Sequence, residues 1–210
     1  MKAILIPVKE FNRSKERLAP HLSEEQRAML AAALCEDFFK VVAQVKGVDR
    51  VYVVSKEYKA LSLAKQLNWE IVSESEQISE SRSVDAASRY CEQYGVTTVL
   101  RLPIDIPLAT AQDIEAIFAA AEEQPCAVIV PSRDGNGTNA LLRSPPTLFA
   151  SHFGPDSFAL HMQDAQRVGA RVKMIRNPRI ELDIDELADL EALAPLALPR
   201  ATQRWMKQSR

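Results

Sequence analysis

Residues Val99 to Pro107, VLRLPIDIP, form an apolar run broken by two prolines that bracket one carboxylate, Asp105. The run reads as a buried strand, and the prolines stop the chain from continuing as strand or helix beyond its end. In a parallel sheet the carboxyl ends of strands form the binding crevice, which makes Asp105 the first candidate functional residue. An aspartate that merely caps a turn before the next helix accounts for the same pattern.

Outward from this stretch, strand and helix alternate. Strands are predicted at Ala3 to Val8, Arg50 to Ser55, Trp69 to Ser73, Ala127 to Pro131 and Arg171 to Ile175. A capping-box pair, Ser23 and Gln26, opens a helix from Glu24 to about Lys46, with Met29, Ala33, Leu34, Phe38 and Val41 at helical spacing. Further helices are predicted at Glu57 to Leu67, about Val84 to Tyr94, about Ala111 to Glu123, from Pro155 or Asp156 to Val168, and at Glu186 to Leu193. Glu74 to Ser83 is polar and reads as a loop. Parallel strands need crossover elements, so the alternation predicts an α/β fold with a mainly parallel sheet and helices on both faces. One domain over residues 1–194 is expected. The remainder, 195–210, with Pro195, Pro199, Arg200, Arg204, Lys207 and Arg210, reads as a mobile basic tail that Trp205 could anchor.

Composition excludes several classes of function. The 210 residues suffice for one substantial core, and 26 basic against 28 acidic residues leave no overall field to attract nucleic acid or an anionic membrane. Cys35, Cys91 and Cys126 lie far apart in apolar segments, which argues against a disulfide framework or a metal knuckle and for a reducing compartment. The amino-terminal apolar run is too short for a signal peptide or a membrane span, so a cytoplasmic location is expected.

Four constellations carry chemistry. The loop after the first strand holds Lys9, Arg13, Lys15 and Arg17, placed to meet phosphates at the sheet edge; a solvated surface loop is the plain alternative. The stretch SRDGNGTNALL offers Gly135 and Gly137 for close backbone approach and Thr138 and Asn139 as hydrogen-bonding side chains, unless it is an ordinary hairpin connection. Gly154 and Ser157 precede a helix whose free N–H groups favour a phosphate or carboxylate, or simply a cap. In IELDIDE, Asp183 and Asp185 are two apart; on an extended segment both project to one side and can share a cation with Asp105. Hard oxygen donors suit magnesium. The alternative is a pair of amino-terminal caps for the last helix. Together these features describe a nucleotide-triphosphate site in which no serine, cysteine or histidine nucleophile is required. His21, His152 and His161 show neither metal nor triad spacing and read as surface or structural residues.

Five motifs also match a known family in order: PVKxxxxSKxRLAP at Pro7 to Pro20, LPIDIPL at Leu102 to Leu108, DGNGTNALL at Asp134 to Leu142, FGPDSF at Phe153 to Phe158, and LDID at Leu182 to Asp185. The chain resembles the 2-phospho-L-lactate guanylyltransferase family up to about Leu193. That resemblance implies a nucleotide-diphospho-sugar transferase (GT-A-like) fold. It further implies transfer of GMP from GTP to a three-carbon phosphorylated acid, with pyrophosphate released, in coenzyme F-420 biosynthesis. The acid would be 2-phospho-L-lactate, phosphoenolpyruvate or 3-phospho-D-glycerate. By the resemblance Asp105, Asp183 and Asp185 would bind magnesium and position the acid, while Lys9, Lys15 and Arg17 would face the triphosphate. Thr138 or Asn139, Gly154 and Ser157 would contact the phosphoacid.

The chain departs from the family at Arg82-Ser83-Val84-Asp85-Ala86, where a Gly-Leu-Asn-Xaa-Ala stretch is usual. There Arg82 could meet a phosphate or carboxylate, and Asp85 a guanine edge or ribose hydroxyl. Asp156 stands where a glycine is expected. Two other readings are a molybdenum-cofactor or sugar-phosphate nucleotidyltransferase and a non-catalytic nucleotide-binding paralogue. The first usually opens with Leu-Ala-Gly-Gly, where this chain has PVKEFNRS. Three acids suited to one cation argue against the second. A homodimer is plausible.

Overall fold

The computed structural model describes residues 1–73 and 78–208. Seven strands form one sheet in the order β3-β2-β1-β4-β6-β5-β7: β1 is Lys2–Val8, β2 Arg50–Ser55, β3 Glu70–Ser73, β4 Thr98–Arg101, β5 Cys126–Pro131, β6 Thr138–Ser144 and β7 Arg171–Met174. All pairs are parallel except those made by β6, which runs antiparallel to β4 and β5. The α/β expectation of a mainly parallel sheet is met. The extra strand β6 begins at Thr138, where the sequence reads as a ligand loop, because glycines and short polar side chains hid a fully buried strand.

Helices cover both faces. They are α1 Glu24–Val42, α2 Tyr58–Gln66, α3 Glu80–Gln93, α4 Ala111–Ala119, α5 Ser157–Arg167, the single turn α6 Pro178–Glu181, α7 Leu187–Leu193 and α8 Arg200–Gln208. Along β1 the side chains alternate between faces. Ile4, Ile6 and Val8 pack with Phe38, Phe39, Ile114 and Ile117 of α1 and α4, whereas Ala3 and Leu5 pack with Val84, Ala87 and Cys91 of α3. Burial on both faces is why this strand reads as a continuous apolar run. The three thiols are free and buried, and among the described residues no helix is long and apolar enough to cross a membrane.

Four expectations change. Helix α3 starts at Glu80 rather than near Val84, with Ser79 accepting a hydrogen bond from Arg82 N–H; residues 74–77 of the expected loop lie outside the described residues. Its solvent face is polar along most of its length, which disguised its first turn as loop. Helix α1 ends at Val42 and α4 at Ala119, each a few residues short of the expected end. Ile180 to Glu186 is not an extended segment: α6 ends at Glu181, and Leu182 to Asp185 follow as irregular chain. The expected mobile tail folds back on α1 as α8. Asp37 of α1 caps it, accepting from Ala201 N–H, Thr202 N–H and the Thr202 hydroxyl, and Trp205 is buried with its indole N–H donated to Gln26 O.

Candidate active site

Strand β1 has β2 on one side and β4 on the other, so the chain reverses its winding there and the carboxyl ends of β1 and β4 open a crevice. A cleft of about 730 Å³ occupies this position. It gathers Lys9, Lys15 and Arg17 from the loop after β1, Asp105 from the loop after β4, and Asp183 and Asp185 from the segment before α7. Thr138 and Asn139 at the start of β6 and Gly154 and Ser157 at the start of α5 complete it. Ten of the twelve expected site residues therefore share one cavity.

The loop after β1 is pinned by two buried apolar side chains, Phe11 and Leu18, each within a short 3-10 turn. Between the turns Lys15 adopts the left-handed conformation, with φ 57°, uncommon for a residue with a Cβ. This backbone directs its side chain into the acids. The ammonium donates to Asp105 Oδ2 at 2.6 Å, to the Ile184 carbonyl, and to Asp185 Oδ1 at 3.5 Å. Burial lowers the Lys15 pKa, but the charges of Asp105, Asp185 and Asp183 outweigh it and hold the pKa above its ordinary value. Arg17 pairs with the other oxygen of Asp185 at 3.1 Å, and Lys9 with Glu16 at 3.6 Å, both in solvent.

Asp183 is partly buried beside Asp105. Burial and the neighbouring Asp105 charge raise its pKa to about 6, against a hydrogen bond from Asn139 Nδ2 at 3.1 Å. That amide also donates to the Ile180 and Glu181 carbonyls, fixing the turn that delivers Asp183 and Asp185. A hydrogen bond from Ile184 N–H to Asp105 O at 3.0 Å ties this turn to the loop after β4. The three carboxylates thus converge through backbone ties and a shared ammonium rather than through strand alternation.

Among the described residues no three His, Cys, Asp or Glu side chains are arranged to hold a metal by themselves. Magnesium asks for less, one or two carboxylates completed by water and substrate phosphate. The donor set of hard oxygens crowded around one cation, Lys15, fits that demand.

On the opposite wall, Gly137 approaches Ser132 so closely that a Cβ there would lie 2.8 Å from its hydroxyl oxygen. Gly154 has φ 129°, and Asp156, with φ 56°, takes the left-handed conformation at the very position where a glycine was expected. Ser157 and His161 of α5 are buried; the His161 ring donates from Nδ1 to Thr138 Oγ1, because its Nε2 accepts the His152 N–H. Burial first, then the charges of Arg143, His152 and Arg101, lowers the His161 pKa to about 3, so the ring is neutral. The expectation that His161 is structural holds.

A family model described as "Guanylyl transferase CofC like" matches residues 1–207. The chain belongs to this CofC-like guanylyl transferase family. A phosphoenolpyruvate guanylyltransferase from Rubrobacter xylanophilus is 35% identical over 90% of this chain and 91% of its own length. A 2-phospho-L-lactate guanylyltransferase from Methanobrevibacter smithii is 27% identical over 97% and 88%. Among solved structures, a protein from Desulfovibrio desulfuricans described as a nucleotide-diphospho-sugar transferase superposes with TM-score 0.77, covering 99% of this chain and 97% of that one at 16% identity. The nucleotide-diphospho-sugar transferase fold follows, and family membership makes the chain a nucleotidyltransferase.

Within this CofC-like guanylyl transferase two expected nucleotide contacts do not reach the cleft. Neither Arg82 nor Asp85 lines it. Asp85 instead accepts from Arg143 at 3.2 Å and from Ser151 N–H at 3.1 Å, neutralising a guanidinium buried on β6. The position is the sixth residue of α3 and faces the sheet, which the mistaken helix start concealed. Sequence reasoning also missed Arg101, Glu80 and Asp189 on the cleft wall. A charged residue inside the apolar run VLRLP was the available signal for Arg101.

Proposed function

We propose that the chain transfers GMP from GTP to a three-carbon phosphorylated acid, releasing pyrophosphate, as a step of coenzyme F-420 biosynthesis. Phosphoenolpyruvate, 2-phospho-L-lactate and 3-phospho-D-glycerate are the acids considered. The observation that carries the reading is the cleft's charge pattern: Lys9, Lys15 and Arg17 on one loop face Asp105, Asp183 and Asp185 on two others. Cations answer a triphosphate, and the acids answer the divalent ion that accompanies it.

In the proposed step a phosphate oxygen of the acid attacks the α-phosphorus of GTP. The new oxygen–phosphorus bond forms as the bond to the bridging oxygen breaks, and the electron pair leaves with pyrophosphate. Lys15 and Arg17 stabilise the charge gathering on the departing group, and Lys9 holds it from the solvent side. Thr138, Gly154 and Ser157 orient the acid; the expected free N–H groups do not contribute, since Ser157 N–H and Phe158 N–H already donate to the Gly154 and Asn136 carbonyls. Asp105, Asp183 and Asp185 would hold magnesium, which supplies charge neutralisation at the attacked phosphate. The test is Asp105→Ala: magnesium-dependent pyrophosphate release disappears while the circular-dichroism spectrum is kept. Turnover at the unaltered rate would remove Asp105 from the site.

A further inference from the structure

Two arginines among the described residues are buried, and they are held very differently. Arg143 is tied into the protein by Asp85, by Ser88 Oγ at 2.9 Å and by the Phe149 carbonyl, away from the cleft lining. Arg101, the last residue of β4, lines the cleft with its side chain 6% exposed. Its guanidinium lies 4.0 Å over the Phe153 ring and donates to the Thr138 carbonyl at 3.2 Å and weakly to that of Asn139 at 3.5 Å. Its one anionic partner among the described residues is Glu80, the first residue of α3, whose side chain is 40% exposed. Among the described residues Nε is buried without a partner, as it also is in Arg143; what sets Arg101 apart is that it lines the cleft.

We infer that Arg101 is the receptor for the carboxylate of the acid substrate, which replaces Glu80 on the guanidinium when the acid binds. The inference rests on the proposed guanylyl transfer and adds to it the residue that selects a carboxylic acid. The reacting phosphate of the acid belongs at the Lys15 and Asp105 end, so the carboxylate is the group left for the wall made by Thr138, Phe153, Gly154 and Ser157. Arg101 is the cation held against that wall. Stacking and backbone carbonyls fix its plane, and its fork of donors matches a carboxylate in bidentate fashion. Glu80 keeps the buried charge paired until the acid arrives. One carboxylate then exchanges for another, and the charge at the guanidinium stays balanced.

Equilibrium binding of each phosphoacid, measured by calorimetry with magnesium and a non-hydrolysable GTP analogue, tests this on Arg101→Gln and Glu80→Gln. Arg101→Gln weakens the acid by about tenfold or more, the effect of losing a charge-assisted pair. Glu80→Gln tightens it several-fold, because the resident competitor is gone. Glycerol 3-phosphate, which has no carboxylate, responds to neither change. A merely structural ion pair would move both variants in the same direction, and that result, or unchanged acid binding in both, overturns the inference. Should Arg101→Gln fail to fold, Glu80→Gln alone decides by its sign, since it alters an exposed carboxylate. Wild-type protein that binds the acids but makes no pyrophosphate would sink the proposed function while leaving the Arg101 receptor standing; wild-type protein that binds none of them would overturn both.

Discussion

The Lys15 ammonium, 2.6 Å from Asp105 Oδ2 across 90 positions of sequence, joins the loop after β1 to the loop after β4. It also reaches the Ile184 carbonyl and Asp185, so one buried cation ties the loop after β4 to the segment that carries Asp183 and Asp185. Removing it leaves carboxylates crowded together in a poorly solvated site. Lys15→Met is expected to lower kcat/KM by about 100-fold or more, the loss typical of a preorganised electrostatic group. Magnesium titration followed by thermal melting checks the same point: the variant gains more stability from magnesium than wild type does, since no internal cation competes. Unchanged turnover would show that Lys15 only braces the loops.

Asp85 is predicted to matter for stability and not for nucleotide. Its removal leaves Arg143, 1% exposed, with an uncompensated charge, which costs about 3–5 kcal/mol. Asp85→Ala should therefore lower the Tm by about 6–20 °C in a chain of this size. The KM for GTP, measured well below the new Tm, stays at the wild-type value. A raised KM with an unchanged Tm would restore the nucleotide contact expected of Asp85 where the sequence departs from the family.

Stability toward acid carries the mark of His161. In the fold its ring resists protonation down to about pH 3, while the unfolded chain takes the proton near the ordinary value of 6.5. The unfolded state therefore binds more protons across this window. The stabilisation from the neutral buried ring is complete above pH 6.5 and is lost as pH falls from 6.5 toward 3, at up to about 1.4 kcal/mol per pH unit. Denaturant unfolding at pH 7 and pH 5 should show a smaller loss in His161→Asn than in wild type. Parallel losses in the two proteins would contradict the neutral assignment.

Helix α8 is predicted to belong to the folded unit. Trp205 is 5% exposed against Leu30 and Leu34 of α1, in the cluster that also contains Leu190 and Leu193 of α7. Trp205→Ala should cost about 3–5 kcal/mol, read as a Tm lowered by about 6–20 °C. A change below about 2 °C would mean that the segment contributes little.

Much of this was legible in the residues. Strong apolar runs such as Ala3 to Val8 and RVYVVS became β1 and β2 within a residue of the expected ends, and the Ser23 and Gln26 capping box forms with both hydrogen bonds in place. What escaped depends on partners distant in sequence. Thr138 and Asn139 sit in a strand because β4 and β5 flank it, which no local pattern announces. Helix α8 is polar over most of its surface, and only Asp37 and Gln26, some 160 to 180 positions away, show why it is ordered. The cleft was readable at Lys15 and Asp105 because charges just after the apolar runs that became β1 and β4 are conspicuous, and at Asp185 from the acidic pair in IELDIDE, although that segment is irregular rather than extended. Asp85 misled because a carboxylate near a polar stretch looks available until its buried arginine is known.

Pyrophosphate release is the most direct measurement of the central claim. With magnesium present, GTP and each of phosphoenolpyruvate, 2-phospho-L-lactate and 3-phospho-D-glycerate are offered in turn, and the series is repeated with ATP. The account predicts release with GTP and at least one of the acids, little with ATP, and none when the acid is omitted. Release without any acid, or none with every acid while GTP still binds, would contradict guanylyl transfer to a three-carbon phosphoacid.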